Sequence, residues 1–189
     1  MSKVKTFKIL IADDEPAASD ALRLQIESLG HQVIAIALNG QQAVDLAVET
    51  KPDLAVLDIR MPDLDGITAG KMLMEQADCP VMLLTGFSDE EKVSRAVETG
   101  AFYYLTKPVR ISDLQPGIEV SVARFRDKQH VERRLAARTL IDRAKGILID
   151  QHGMKEQEAH NRIHFVARNN NRTMSEVAES IIETGQIPE

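Results

Sequence analysis

Five side chains stand where their types could do joint chemistry: Asp13, Asp14, Asp58, Thr85 and Lys107. Each ends or closely follows a short apolar run: Lys8–Ala12, Leu54–Leu57, Val81–Leu84 and Phe102–Leu105. Three carboxylates brought into one crevice repel one another, so something positive must hold them together. A divalent hard cation with oxygen ligands does this, and a lysine ammonium helps. Mg2+ suits one or two carboxylates, retained water and a phosphoryl oxygen. Asp58 is then free to act as a nucleophile toward a phosphoryl group. Lys107 and the cation would neutralise the charge spread over the transferring oxygens, and Thr85 could donate a hydrogen bond to one of them. Asp13 and Asp14 alone would be no more than an acidic cluster favoured by a helix N-terminus. The argument for a site rests on all five occurring at the ends of separate apolar runs.

The elements that would position them follow from the pattern. Lys8–Ala12, Val33–Ala37, Leu54–Leu57, Val81–Leu84 and Phe102–Leu105 are uninterrupted apolar runs, which suit strands buried on both faces of a parallel sheet. Helical spacing lies between them. Pro16 suits a first helical turn, followed by Ala18, Leu22, Ile26 and Leu29 and closed by Gly30. Asn39 can cap Gln41 to Glu49, Leu64 to Gln76 forms a third helix, and Ser88-Asp89-Glu90-Glu91 has the form of a capping box. Ser112-Asp113 can cap a last helix, with Pro116 near its first turn. Strict alternation implies a doubly wound α/β fold with a five-stranded parallel sheet, whose ligands bind beyond the carboxyl ends of the strands.

Asp13-Asp14-Glu15-Pro16, Asp58-Ile59-Arg60-Met61-Pro62-Asp63-Leu64-Asp65-Gly66, Thr85-Gly86 and Lys107-Pro108 together resemble the flavodoxin-like receiver domain of two-component response regulators. The resemblance covers residues 7 to about 122. It implies that Asp58 is the phosphoacceptor for a sensor histidine kinase. Asp13, Asp14 and Asp58, with the backbone carbonyl of Arg60, would hold Mg2+. Thr85 and Lys107 would sense the phosphoryl group, and Tyr104 stands where the family has its rotating switch aromatic. A cis peptide before Pro108 is implied as well. Gly86 departs from the alanine or serine frequent after the threonine, leaving extra room there.

Charge changes sign along the chain. Residues 1–120 carry 11 basic and 19 acidic side chains, residues 121–172 carry 12 and 6, and residues 173–189 carry four glutamates and no Lys or Arg. The total of −6 therefore hides a segment of net +6, which suits a polyanionic partner. From Gly117 to Ile149 there is no proline, and a long helix is expected. Over residues 123–137 the apolar pattern fits a short dimeric coiled coil and a plain helical tether equally. Lys155 to Arg168 is a further helical pattern. Asn169 to Arg172 reads as a turn, and Thr173-Met174-Ser175-Glu176 as a capping box opening another helix.

Arg138-Thr139-Leu140-Ile141-Asp142-Arg143-Ala144-Lys145-Gly146-Ile147-Leu148, with Glu158-Ala159 and Asn171 to Ala178, resembles the ANTAR domain, the RNA-binding output module of antitermination regulators. His164 and Arg168 depart from the residues usual there. Gly146 in mid-helix costs about 1 kcal/mol against alanine, which makes sense where a neighbouring helix or a ligand backbone approaches closely. A basic three-helix surface suits phosphates and stem-loop bases. Arg143, Lys145, Arg162, Arg168, Asn171 and Arg172 are the candidate contacts. Phe125 and Phe165 are the only aromatics of this half, so polar readout should dominate over stacking.

The expected organisation is a receiver over residues 1–122, a helical linker or coiled coil over 123–137, and a small three-helix all-α output domain over 138–189. The expected function is a phosphorelay response regulator that binds RNA stem-loops and prevents transcription termination, dimerising on phosphorylation. The rival is a receiver whose output module binds protein and not RNA. No enzymatic activity is expected beyond the receiver's own aspartyl phosphorylation and dephosphorylation. One cysteine, Cys79, excludes an intramolecular disulfide and a Cys-rich metal site and fits a reducing compartment. No apolar run approaches the ~20 residues of a membrane span. A cytoplasmic protein with no membrane partner is the expectation.

Overall fold

The apolar runs become strands because both faces of the sheet they build are covered. A computed structural model describes residues 5–86 and 103–188. The elements in order are β1 (Lys8–Ala12), α1 (Pro16–Ser28), β2 (Gln32–Ala37), α2 (Gly40–Thr50), β3 (Leu54–Asp58), α3 (Gly66–Gln76), β4 (Val81–Thr85), β5 (Tyr103–Thr106), α4 (Ile111–His152), α5 (Glu156–Asn169) and α6 (Met174–Thr184). The chain divides into two compact units, Met1–Arg126 and Asp127–Glu189, and the division falls within α4. The helix expected after Ser88 lies outside the described residues.

In the first unit, five strands pair in the order β2-β1-β3-β4-β5, all parallel. Successive side chains of a strand point to opposite faces. Leu10, Ala12, Ala55, Leu57 and Leu83 pack with Ala43, Val44 and Ala47 of α2 and Ala69 and Leu73 of α3. Ile9, Ile11, Val56, Met82 and Leu84 pack with Leu22 and Ile26 of α1 and with Leu114, Ile118 and Val122 of α4. The doubly wound sheet expected from the sequence is the one found. β1 lies between β2 and β3, so the chain reverses its direction of winding there, and a crevice opens beyond the carboxyl ends of β1 and β3. Cys79 is fully buried in this core, and burial pushes its thiol up to about 12, leaving it un-ionised.

Local chemistry fixes the helix starts. Pro16 opens α1. The Asn39 side chain accepts from the Gln42 amide at 2.8 Å. Asp65 Oδ1 accepts from the amides of Ile67 and Thr68 at 2.9 and 3.0 Å, so α3 begins at Gly66, two residues later than the pattern suggested. α4 begins earlier than expected. The Arg110 carbonyl accepts from the amides of Asp113 and Leu114, which puts Ser112 and Asp113 inside the helix and Pro116 beyond its first turn. A proline there costs about 3 kcal/mol in an isolated helix. Burial of Leu114 and Ile118 on either side of it outweighs that penalty.

The second unit packs the end of α4 with α5 and α6 around Ala144, Leu148, Ala159, Ile163, Val166, Val177 and Ile181. Thr173 and Glu176 form the expected reciprocal cap: Glu176 N–H donates to Thr173 Oγ1 at 3.2 Å, and Thr173 N–H to Glu176 Oε2 at 2.6 Å. Three helices in this arrangement match the expected all-α output domain.

Candidate functional site

Strand register brings the acidic residues together. Ala12 of β1 pairs with Leu57 of β3, so Asp13 and Asp58 follow on adjacent chains. Asp13, Asp14 and Asp58 each offer a carboxylate oxygen, and these oxygens lie within 4.8 Å of one another. Asp13 is almost wholly buried, and its Oδ1 accepts from the Glu15 amide at 2.9 Å. Lys107, just past β5, sends its Nζ to 2.8 Å from Asp13 Oδ2 and 3.1 Å from Asp58 Oδ2. Thr85 ends β4, is 3% exposed, and accepts the Lys107 amide on its carbonyl at 2.7 Å. The peptide between Lys107 and Pro108 is cis, as the resemblance implied.

A glycine keeps the turn after Asp58 tight. A Cβ on Gly66 would lie 1.9 Å from the Asp58 carbonyl oxygen, and the Gly66 amide donates to the Ile59 carbonyl at 3.0 Å. The loop over residues 59–65 thus folds back directly over the strand end. Arg60 sits in it, exposed, two residues after Asp58. Sequence reasoning quoted Gly66 only as part of a motif. The Asp-Gly pair after a strand is the signal that could have identified its steric role.

Electrostatics at the site oppose one another. Burial raises the pKa of Asp58 above the ordinary carboxylate value and the Asp13 charge adds to this, while the Lys107 hydrogen bond and charge work against it. Burial pulls the Lys107 ammonium down, but its bonds to Asp13 and Asp58 outweigh that, and its net shift is upward. A hard divalent cation fits this donor set, since three carboxylate oxygens lie within reach of one centre and one of the carboxylates is buried.

A raised folded-state pKa means that ionised Asp58 costs stability above that pKa, and that the cost vanishes below the unfolded value. Asp58→Asn is therefore expected to stabilise the metal-free protein at neutral pH, by up to about 1 kcal/mol. The gain should shrink as pH falls through the raised pKa toward 3.8. Urea unfolding in chelator at several pH values checks this, and a destabilised variant at pH 7 would contradict it.

Tyr104 does not join the cluster. It lies in β5 in register with Leu83 and is 46% exposed, at a surface hollow shared with Arg110 and Asp113.

The six basic and polar candidates of the second unit divide into two sets. Arg143, Arg162 and Arg168 are exposed. Lys145 is largely covered, with its Nζ 2.8 Å from Asp142 Oδ1 and 3.2 Å from Glu156 Oε1. These two hydrogen bonds, Asp142's the stronger, push its pKa up. Arg172 donates to the Glu176 carbonyl at 2.6 Å and to Ser180 Oγ at 2.7 Å, bracing the start of α6. Asn171 is exposed and holds a left-handed φ of 50° at the turn before α6. A Cβ on Gly146 would meet nothing within 4 Å, so among the described residues no neighbouring helix uses the space the glycine leaves. The sequence reasoning counted Phe165 with Phe125 and gave it no contact of its own, yet it is 55% exposed. Its place off the apolar stripe of Ala159, Ile163 and Val166 was the available signal.

Comparison with known proteins bears on both units. The model of the response regulator receiver domain matches residues 9–119, and that of the ANTAR domain matches residues 129–182. The transcriptional regulatory protein PdtaR of Mycobacterium tuberculosis (strain ATCC 25618 / H37Rv) is 40% identical over 184 residues, covering 94% of this chain and 90% of that protein. A protein-glutamate methylesterase/protein-glutamine glutaminase of Archaeoglobus fulgidus is 36% identical over 103 residues, covering 53% of this chain and 30% of that one. Among solved structures, the signal receiver domain of a modulated diguanylate cyclase from Desulfovibrio desulfuricans G20 aligns with a TM-score of 0.61 at 33% identity, over 66% of this chain and 99% of that one. The response regulator domain of Thermotoga maritima CheB aligns with a TM-score of 0.59 at 28% identity, over 63% and 98%. Among the described residues no helix is long and apolar enough to cross a membrane.

Proposed function

Because the chain belongs to the response regulators, with a receiver domain followed by an ANTAR RNA-binding output domain, we propose that Asp58 accepts a phosphoryl group from a sensor histidine kinase and that this event controls RNA binding. The observation that carries the reading is the Lys107 ammonium within 2.8 and 3.1 Å of Asp13 and Asp58, beside three carboxylates gathered at the ends of two strands.

In this account an Asp58 carboxylate oxygen attacks phosphorus. The oxygen–phosphorus bond forms as the bond to the donor histidine nitrogen breaks, and the leaving imidazole takes up a proton. Asp13, Asp14 and Asp58, with the Arg60 carbonyl, would hold Mg2+, which when bound neutralises charge on the transferring oxygens. Lys107 exchanges its contact with Asp58 for one with a phosphoryl oxygen. The Thr85 hydroxyl donates to another, and Tyr104 leaves its exposed position to follow Thr85 inward. Such a change alters the β4–β5 surface and so shifts the population of states the receiver presents.

On the output side, Arg143, Arg162 and Arg168 make direct phosphate contacts, while Lys145, Asn171 and Arg172 shape the surface that carries them. The ANTAR match favours RNA over a module that binds only protein. Val131 and Leu135, 64% and 66% exposed on α4, give two phosphorylated copies an apolar stripe on which to pair. A dimer would engage two stem-loops at once and gain affinity through effective concentration. A stem-loop held this way prevents a competing terminator hairpin from forming.

Gel shift of the beryllofluoride-activated protein against a pool of hairpin RNAs, across a salt series, tests the output. Binding should weaken steeply with salt, as expected when several basic side chains displace counterions. No RNA affinity at low salt would overturn the reading.

A further inference from the structure

Phe165 is the one aromatic of the output unit whose side chain sits on the outer face of its helix. The buried positions of α5 are Ala159, Ile163, Val166 and Ala167, and these leave Phe165 on another side, 55% exposed. An exposed phenylalanine carries a standing cost in water that burial against a partner removes. Phe125, the other aromatic beyond residue 120, is 8% exposed and belongs to the first unit. The sequence-based expectation that stacking plays little part treated the two alike.

The surroundings of the ring are those of a polyanion with flat apolar bases. The Arg162 guanidinium carbon is 5.9 Å from the ring centroid, within cation–π range. Arg168 lies three residues on, exposed, in the last turn of α5. Asn161 stands one helical turn before the ring. Its Oδ1 accepts from Gln157 Nε2 at 3.1 Å, which leaves its NH2 group to donate to a base edge. Asn161, Arg162 and Phe165 line one shallow hollow of about 790 Å³. Lys155 and Glu158 also line it and carry opposite charges, while the two exposed arginines Arg162 and Arg168 draw the RNA backbone to their side.

Resting on the reading that the output unit binds RNA, we propose that Phe165 is a stacking platform for one unpaired loop base, with Arg162 and Arg168 on the flanking phosphates and Asn161 at the base edge. A single stacked base accounts for the lone aromatic, and the loop of a stem-loop supplies a base free to leave its own stack. Readout then combines stacking with polar contacts.

The test uses the full-length, beryllofluoride-activated protein and a hairpin RNA whose randomised loop carries 5-bromouridine. Phe165→Leu keeps an apolar side chain but loses the ring face, and should lower affinity about tenfold, while Phe165→Tyr should retain it. Photocrosslinking of the unaltered protein should place the adduct on Phe165, which decides the matter even if Phe165→Leu fails to fold. Equal affinity of a folded Phe165→Leu variant, or adducts confined to other residues, would overturn the stacking role and leave RNA binding itself standing. Failure of the unaltered protein to bind the hairpin at all would overturn both.

Discussion

Asp58→Asn is expected to remove covalent phosphorylation altogether. Only Asp58 combines the two properties an acceptor needs here. Its carboxylate is partly open, with a side chain 13% exposed, whereas Asp13 is 1% exposed and committed to the Glu15 amide and Lys107. Asp14 is exposed and, among the described residues, is not paired with the lysine that would neutralise the incoming group. An amide at position 58 lacks the charge and basicity of a carboxylate nucleophile, so labelling should fall by at least about 100-fold, to background. Incubation with acetyl phosphate and Mg2+, followed by intact-mass spectrometry, reads this directly. A gain of one phosphoryl mass in the parent protein and none in the variant is the expected result. Undiminished labelling of Asp58→Asn, or its loss only in Asp14→Asn, would move the acceptor elsewhere. Labelling of the parent should also slow as pH falls through the raised pKa of Asp58, because the nucleophile is the ionised form.

Gly66→Ala is the second large effect. The added Cβ would lie 1.9 Å from the Asp58 carbonyl oxygen and 2.8 Å from its carbonyl carbon. Both are backbone atoms, so no side chain can rotate aside. Relief requires α3 or the end of β3 to shift, and either moves the acceptor away from Asp13 and Lys107. We expect a loss of about 2 kcal/mol or more in stability, together with loss of phosphorylation. Gly146→Ala is the internal control. It also replaces a helical glycine, but its Cβ meets nothing within 4 Å, so it should stabilise by up to about 1 kcal/mol. Urea unfolding of the two variants should therefore change in opposite directions. A stable, phosphorylatable Gly66→Ala protein would show that the turn after Asp58 tolerates displacement and that its closeness is not needed to aim the carboxylate.

The sheet was legible from the sequence because its strands are buried on both faces, and double burial writes itself as continuous apolar runs such as Ile9-Leu10-Ile11. The acidic cluster was legible for a related reason. In a parallel sheet every strand end points to the same edge, so residues ending separate runs are forced into proximity. Boundaries were less legible where two local devices compete. At α3 the apolar pattern reaches back to Leu64, but Asp65 is a poor interior residue and a strong cap, and the cap won. At α4, Ser112 and Asp113 look like a cap, but Arg110 supplies the carbonyl that closes the first turn. The output surface was the least legible part. Residue type alone could not show that Glu156 holds Lys145, or that Arg172 braces α6, because the first pairing crosses from one helix to another and the second depends on how a turn folds. Phe165 misleads differently: its type predicts burial, and only its place off the apolar stripe points to the exposure found.

The central claim is that the chemical state of Asp58 sets RNA affinity. It is tested most directly by titrating a hairpin RNA with the full-length protein, with and without beryllofluoride plus Mg2+, alongside Asp58→Asn. The account predicts about tenfold tighter binding with beryllofluoride, the scale of an ordinary coupling between sites, and no change in the variant. Equal affinity in the two states, with fluorine NMR showing beryllofluoride bound at the receiver, would contradict it.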